Sequence, residues 1–251
     1  NTVTFLNKAM HNRGVGSDGE SGFCSITWEQ NCIIAMMYYL TYPENTNCQL
    51  VCGAGDNGYN RVLGSTTNVL GMQDTNASVG SPTTASAVTT IVYNNVNFFG
   101  IENAWGGKTE VIGNAFLANS ASPARMTITS PFDFNLSVRQ VAGTAINAGY
   151  PRKLVFGQYF DMLNAYGTSA DNATGYCDYQ MLWNSAGQIW PRALYRSAPG
   201  ANAGGGVACV NGGNALANAS AYMGGRLAFI GTINEAASAA AFRGATDATF
   251  G

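Results

Sequence analysis

Residues 177–230 read CDYQMLWNSAGQIWPRALYRSAPGANAGGGVACVNGGNALANASAYMGGRLAFI, and two kinds of position interleave in this stretch. The first kind is typical of a scaffold: Trp190, Arg192, Ala193, Leu194, Val207, Gly225, Arg226, Leu227 and Phe229. Between them lie Asn, Ala, Ser, Gly and Tyr with neither a strand nor a helix period. Tyr, Ser, Gly and Asn dominate adaptable contact loops. The composition alone therefore fits two structures equally, a binding surface and a Gly-rich surface loop without a partner.

The whole chain is poor in charge. Only 10% of its 251 residues are charged and the net charge is −2, whereas globular proteins usually have about 25% charged residues. A neutral surface gives no electrostatic footprint for nucleic acid, and no apolar stretch is long enough to insert into a membrane. We therefore expect neither kind of partner.

A helix start is visible in Thr27-Trp28-Glu29-Gln30, where Thr27 is the N-cap and Gln30 reaches back to it in a capping box. Apolar residues then recur at spacings of three and four, which predicts an amphipathic helix up to Leu40, and Pro43 ends it. The residues expected to face the core are Ile33, Ile34, Met36, Met37 and Leu40.

Short β-branched and aromatic runs separated by Gly, Asn and Pro predict strands. The predicted strands are 88–99, 109–112, 126–128, 154–156, 193–196, 206–210 and 226–233. Residues 53–90 are expected to be a long polar loop, and the glycines at 204–206 and 224–225 are expected to be turns. These elements predict an α+β fold with long irregular loops and short antiparallel strands.

The chain is expected to hold one domain. We assign residues 1–20 to an N-terminal arm or linker, 21–235 to the domain and 236–251 to an Ala-rich tail. The candidate variable segment of the domain spans about 177–224.

Few residues carry recognisable chemistry. His11 is the single histidine, and the pattern favours a solvated loop residue. Glu102 and Glu110 could form a glycosidase pair, although a buried hydrogen-bonding role fits Glu102 better. The six cysteines are expected to be mostly free, buried thiols, with Cys24–Cys32 and Cys48–Cys52 as alternative bridges. The spacings contain neither a zinc nor an EF-hand calcium motif, so we expect no metal or cofactor.

Five ordered motifs resemble the variable proteins of diversity-generating retroelements, which occur in gut phages and bacteria and have a C-type lectin fold. The motifs are TWEQ at 27–30, TNVLGMQDT at 67–75, FGIENAWGG at 99–107, YCDY at 176–179 and GGRLAF at 224–229. The likeness covers roughly residues 25–231. Residues 107–113 depart from the family, because they lack its second and third Trp and its Asp.

The resemblance implies a non-enzymatic display protein whose C-terminal surface is randomised by copying a template with errors at adenines. Asn codons then yield Asn, Tyr, Ser, Ala, Gly, Thr or Asp, so Gln180, Met181, Trp183 and Trp190 would belong to the scaffold or come from other codons. Ala201 is a further plausible diversified position. The candidate ligand-binding residues are Tyr179, Met181, Trp183, Asn184, Trp190, Tyr195, Ser197, Ala198, Asn202, Asn211, Asn214, Asn218 and Tyr222.

The resemblance also sets the expected partners. A protein or glycan on a host cell would be the ligand, and the chain would form a phage tail-fibre tip or a bacterial surface adhesin, as a homo-oligomer (a trimer fits) or with other virion proteins. The alternatives are a structural fibre or decoration subunit, and an enzyme like the formylglycine-generating enzymes, which share the C-type lectin fold. The enzyme would require Cys177 and Cys209 as its active-site pair.

Overall fold

The structure is a computed structural model. It describes residues 21–49, 70–74, 78–80, 90–92, 95–102, 104–106, 109–117, 126–130, 140–141, 148–157, 163–169, 176–181, 192–197, 204–218 and 223–231. The predicted N-terminal arm, the predicted Ala-rich tail and His11 lie outside these residues.

Helix α1 spans Trp28–Thr41 and begins as the capping box predicts. The Gln30 amide donates to Thr27 Oγ1 at 3.2 Å, and the Thr27 amide donates to Gln30 Oε1 at 3.0 Å. These two bonds satisfy amides that a helix start otherwise leaves without acceptors. At the other end, the Tyr42 amide donates to the Tyr38 carbonyl at 2.8 Å, and Pro43 follows.

The buried face of α1 differs from the predicted one. Ile33 and Leu40 are 43% and 71% exposed, so their assignment to the core is wrong, and Met36 and Met37 are only half-buried. The residues that the helix buries are Trp28, Asn31, Cys32, Ile34, Ala35 and Tyr38. This face is set by two aromatic side chains and a polar one, which a pattern of aliphatic residues does not register.

Sixteen strands are described, and most are short. They are β1 (Gly22–Ser25), β2 (Leu70–Asp74), β3 (Ser78–Gly80), β4 (Thr90–Val92), β5 (Asn95–Phe98), β6 (Ile101–Glu102), β7 (Thr109–Leu117), β8 (Met126–Ile128), β9 (Gln140–Val141), β10 (Ala148–Phe156), β11 (Leu163–Ser169), β12 (Gln180–Met181), β13 (Arg192–Arg196), β14 (Val210–Asn211), β15 (Met223–Gly225) and β16 (Leu227–Ile230). With α1 they confirm the α+β class.

The largest sheet has nine strands in the order β11-β10-β12-β14-β13-β7-β8-β9, and β15 also pairs with β7. Its pairs are antiparallel except β12–β14 and β15–β7, which are parallel. β1 pairs with β16, β3 with β4, and β2, β5 and β6 form a third small sheet. Segment 177–230 therefore supplies the middle of the large sheet and one of its side strands.

Several strand predictions need correction. The predicted loop 53–90 contains β2 and β3, because residues 70–74 pair with β5 and residues 78–80 with β4. The predicted strand 206–210 is reduced to its last residue, which begins β14. The glycines at 224–225 lie in β15 beside β7 rather than in a turn, since a strand without side chains can approach its neighbour closely.

The main core lies between α1 and the large sheet. Trp28, Tyr38 and Trp105 are buried there with Phe98 and Leu194. The ring centroids of Tyr38 and Trp105 are 5.7 Å apart in an edge-to-face arrangement, which is a favoured geometry for aromatic pairs.

The prediction that the cysteines are buried is confirmed for Cys24, Cys32, Cys48, Cys177 and Cys209, the cysteines that the structure describes. No disulfide joins any two of these five residues in the structure. The alternative Cys24–Cys32 bridge is therefore wrong, and Cys48 is a reduced thiol in this structure. Burial raises the pKa of Cys24 to about 11, so this thiol stays protonated at neutral pH.

Candidate binding surface

Strand β13 crosses the middle of the proposed variable segment, and every one of its residues is buried. Tyr195 has no exposed surface and Ser197, directly after the strand, is 2% exposed. Their assignment to a ligand-contacting surface is therefore wrong. The Ser197 hydroxyl donates to the Gly106 carbonyl at 2.9 Å. Among the described residues, the Tyr195 hydroxyl has no hydrogen-bond partner.

The reason for this burial is that both faces of β13 pack against apolar side chains. Leu194 joins the main core, while Ala193 and Tyr195 join a second cluster with Val111 and Phe116. Neighbouring strands also cover both edges, since β13 pairs with β7 and with β14. A strand that is buried on both sides shows no alternation of polar and apolar residues.

The loop 211–218 begins at the last residue of β14 and has a different character. Asn211 and Asn214 are half-buried and Asn218 is exposed. The Asn218 side-chain amide donates to Asn214 Oδ1 at 3.1 Å, and Asn211 Oδ1 accepts from the Gly213 amide at 2.7 Å. The structure thus brings Asn214 and Asn218 together, with polar groups that bond one another or the loop backbone rather than the core.

The side chain and backbone of Arg192 hold the backbone of this loop. Its Nε donates to the Gly212 carbonyl at 2.7 Å, and Arg192 also forms a β-bridge with Ala215. Gly212 sits so close to the core that a Cβ there would lie 2.3 Å from Leu117 Cδ1. The loop is therefore held by backbone contacts, by the close approach at Gly212 and by Leu216, whose side chain packs against the cluster of Val111 and Phe116.

A buried ion-pair network fixes both ends of the segment 192–230. Arg196 Nη1 lies 3.0 Å from Glu110 Oε2, and Arg226 Nη2 lies 2.8 Å from Glu110 Oε1. Arg196 also donates to Asn31 Oδ1 at 2.9 Å and to the Ala104 carbonyl. Burial lowers the pKa of Arg196, and the charge of Glu110 opposes that shift. Since both carboxylate oxygens of Glu110 are engaged, this residue acts as a buried counter-ion.

A second polar cluster surrounds Asp178 at the start of the segment. Asp178 Oδ1 accepts from the Ala208 amide at 2.7 Å, and Oδ2 accepts from the Tyr39 hydroxyl at 2.5 Å. Burial raises the pKa of Asp178 from 3.8 to about 6, although both hydrogen bonds oppose that shift. The Asp178 carboxylate thus joins α1 to the 204–208 turn.

Two other candidate residues lie close to these clusters. Tyr179 is half-buried, and its ring packs edge-to-face on Tyr150 with centroids 5.0 Å apart. Met181 lies in β12, opposite Asn211 of β14. The remaining candidates are outside the described residues: Trp183, Asn184, Trp190, Ala198, Asn202 and Tyr222. Ala201 and the side chain of Glu102 are outside them too.

A surface groove of about 570 Å³ lies between α1 and β16. Ile33 and Leu227, each 43% exposed, line it with Met37 and Arg226. None of the described candidate binding residues lines this groove. Leu227 and Phe229, which the sequence assigns to the scaffold, lie in β16 and are 43% and 37% exposed.

Sequence reasoning missed the partners that hold the surface. Arg192 and Arg226 are recognisable as scaffold because a charged residue is unusual among small neutral ones. Their acceptors, the Gly212 carbonyl and Glu110, lie 20 and 116 residues away in sequence, and no local pattern identifies them.

Comparisons with known proteins give no match: no family model, no curated protein and no solved structure is similar to this chain. Within the described part of the chain, no helix has the length and apolar character that crossing a bilayer requires.

Proposed function

We propose that this chain is a ligand-binding display protein with a C-type lectin-like fold, whose C-terminal surface is diversified by a retroelement. The ligand is a protein or glycan on a host cell. The protein forms the receptor-binding tip of a phage tail fibre, or an adhesin tip on a bacterial surface, as a homo-oligomer or with other virion proteins. It is not an enzyme in this proposal.

The observation that carries the proposal is the construction of the loop 211–218. Arg192 holds its backbone through the Gly212 carbonyl and the bridge to Ala215. The side chains of Asn214 and Asn218 bond each other instead of the core. At these two asparagines, a loop held in this way can change its side chains without loss of core contacts, as diversification requires.

The residues that carry the family resemblance support the same proposal, because several of them are buried parts of the scaffold. Trp28 and Trp105 are in the main core. Asp178 bonds Tyr39 and the 204–208 turn, and Arg226 pairs with Glu110. Buried motif residues of this kind fit the proposed scaffold, whose core must be kept when the surface is diversified.

The experiment that tests the proposal is to sequence the surrounding DNA and search for a near-copy of the region that encodes residues 177–230. We expect a near-copy beside a reverse transcriptase gene, with mismatches at adenines in the codons of Asn211, Asn214 and Asn218. The codons of Tyr195 and Ser197 should be spared, because these side chains are buried. Absence of a near-copy, or mismatches concentrated in buried codons, would contradict the proposal.

A structural fibre or decoration subunit is the second candidate. The observation that favours it is the groove between α1 and β16, where Ile33 and Leu227 expose apolar surface that a neighbouring subunit could cover. Sibling isolates distinguish the two functions, because a structural subunit should be invariant at Asn211, Asn214 and Asn218.

A further inference from the structure

Two thiols from distant parts of the chain meet in the interior. Cys48 Sγ and Cys177 Sγ are 3.3 Å apart, although 129 residues separate them in sequence. Both side chains are completely buried. Cys48 lies shortly after α1, and Cys177 lies at the start of the segment that carries the candidate surface.

The same place could in principle hold a metal ion, since Cys48, Cys177 and Asp178 form a three-ligand group. The carboxylate is already used, however, because each of its oxygens accepts a hydrogen bond at 2.7 Å or less. Cys48 Sγ accepts a further bond from the Val207 amide at 3.3 Å. A structural zinc site needs four free ligands and deprotonated thiols, whereas burial raises the pKa of Cys48 well above its usual value.

A disulfide between the two sulfurs requires less rearrangement of the structure than a zinc site does. A disulfide has an S–S length of about 2.05 Å, so the present separation of 3.3 Å leaves little to close. We propose that Cys48 and Cys177 are a disulfide-forming pair that is oxidised when the chain folds in an oxidising environment.

The oxidant in this proposal is a small disulfide such as oxidised glutathione. One protein thiolate attacks it, forms a mixed disulfide and releases one glutathione thiol. The second protein thiolate attacks the mixed disulfide, forms the Cys48–Cys177 bond and releases the second glutathione thiol. Two electrons and two protons leave the protein thiols and reduce one glutathione disulfide to two thiols.

The packing around the two thiols determines at which stage of folding they can be oxidised. A Cβ on Gly206 would lie 2.8 Å from Cys177 Sγ and 2.0 Å from Asp178 Oδ1, so the 204–208 turn leaves no space for a small disulfide. Oxidation therefore takes place before this turn closes over the pair. Once formed, the bond is shielded from reductants by the same turn.

The bond closes a loop of about 130 residues, and long loops give large stabilisation because cross-linking restricts the unfolded chain most. A typical disulfide gain and the usual relation between stability and Tm correspond to an increase of about 10 °C for a domain of this size. The bond also ties the start of segment 177–230 to the region that follows α1.

The test is to refold the full chain from denaturant in a glutathione redox buffer, with a parallel sample kept in excess reductant. Mass spectrometry of the non-reduced digest should show a peptide that links Cys48 to Cys177. The thiols that can be alkylated after denaturation should fall from six by two, and the Tm should rise by about 10 °C.

Substitutions provide the matched controls. Cys48→Ser and Cys177→Ser should each abolish the cross-link and the Tm difference between the two buffers, whereas Cys24→Ser should keep both. Six alkylated thiols in the oxidised sample would overturn the proposal, as would a Cys48–Cys52 link. Stoichiometric zinc in the reduced protein that is lost in Cys48→Ser would overturn it in favour of a metal site. If a variant fails to fold, the mass spectrum of the unsubstituted chain still shows whether the Cys48–Cys177 bond forms.

Discussion

Strand β13 pairs with β14, where the loop 211–218 begins, yet the two regions differ in how far they bury their side chains. Tyr195 lies opposite Asn211, but Tyr195 is fully buried whereas Asn218 at the end of the loop is exposed. β13 is covered on both faces, while the loop is supported through its backbone. The difference teaches that composition identifies the whole segment as a candidate surface, whereas strand pairing determines which of its residues are exposed to solvent.

The most direct test of this comparison is to introduce serine in each of the two regions. Tyr195→Ser should lower the free energy of unfolding by about 4 kcal/mol, since it leaves a cavity in the cluster that Tyr195 forms with Val111 and Phe116. Asn218→Ser should change it by less than about 0.5 kcal/mol, because its side chain is at the surface. Urea unfolding measures both values. Equal losses in the two variants would remove the distinction between strand and loop.

The ion-pair network should show a somewhat smaller effect. Arg196→Ala removes the donor to Glu110, Asn31 and the Ala104 carbonyl and should cost about 3 kcal/mol, because a buried charge loses a partner. Arg226→Ala is the control, since its side chain is 26% exposed and the expected loss is about 1 kcal/mol. Thermal and urea unfolding of both variants should preserve this order; a larger loss for Arg226→Ala would contradict the assignment of Arg196 as the central residue.

The smallest effect that we predict depends on pH and belongs to the scaffold. The folded pKa of Asp178 is raised from 3.8 to about 6, so the folded state binds its proton more tightly than the unfolded state. The contribution of Asp178 to stability is complete below pH 4 and is lost as the pH rises through 6. Between pH 4.5 and pH 7 the loss should be about 2 kcal/mol.

Asp178→Asn isolates this contribution, because an amide at position 178 can still accept a hydrogen bond from Ala208 but does not titrate. The difference in urea midpoint between the two proteins should change with pH from 4.5 to 7. Asn218→Ser should follow the pH profile of the unsubstituted chain, since the described loop residues 211–218 contain no ionisable side chain. A constant difference between the Asp178 variant and the unsubstituted chain would contradict the raised pKa.

Local chemistry made some of the structure predictable from sequence. The capping box and the α1 boundaries follow from residues three positions apart, and the buried thiols follow from their residue type. The exposure of Ile33 and Leu40 was not predictable from local sequence. The buried face of α1 is determined by contacts of Trp28, Asn31 and Tyr38 with residues far away in sequence.

The candidate surface shows the same limit. Asn214 and Asn218 bond each other, in keeping with the rule that polar residues in a Gly-rich loop rarely have core partners, and their role in ligand binding stays a prediction. The burial of Tyr195 was not predictable, since an amphipathic tyrosine suits both a contact surface and a buried strand. Only the pairing of β13 with β7 and β14, over large sequence separations, distinguishes the two.

The pairing of β1 with β16 has a mechanical consequence. Gly22 lies opposite Ile230 and Ser25 opposite Leu227, so both strands present their outer ends at the same edge of the domain. Tension applied through these two ends would separate the strands one hydrogen bond at a time, at low force. Tension through one end alone would pass from the anchor to the bound ligand and would load a different path. In the proposed receptor-binding function, attachment of the domain by one end would therefore leave the β1–β16 pair outside the path of the applied force.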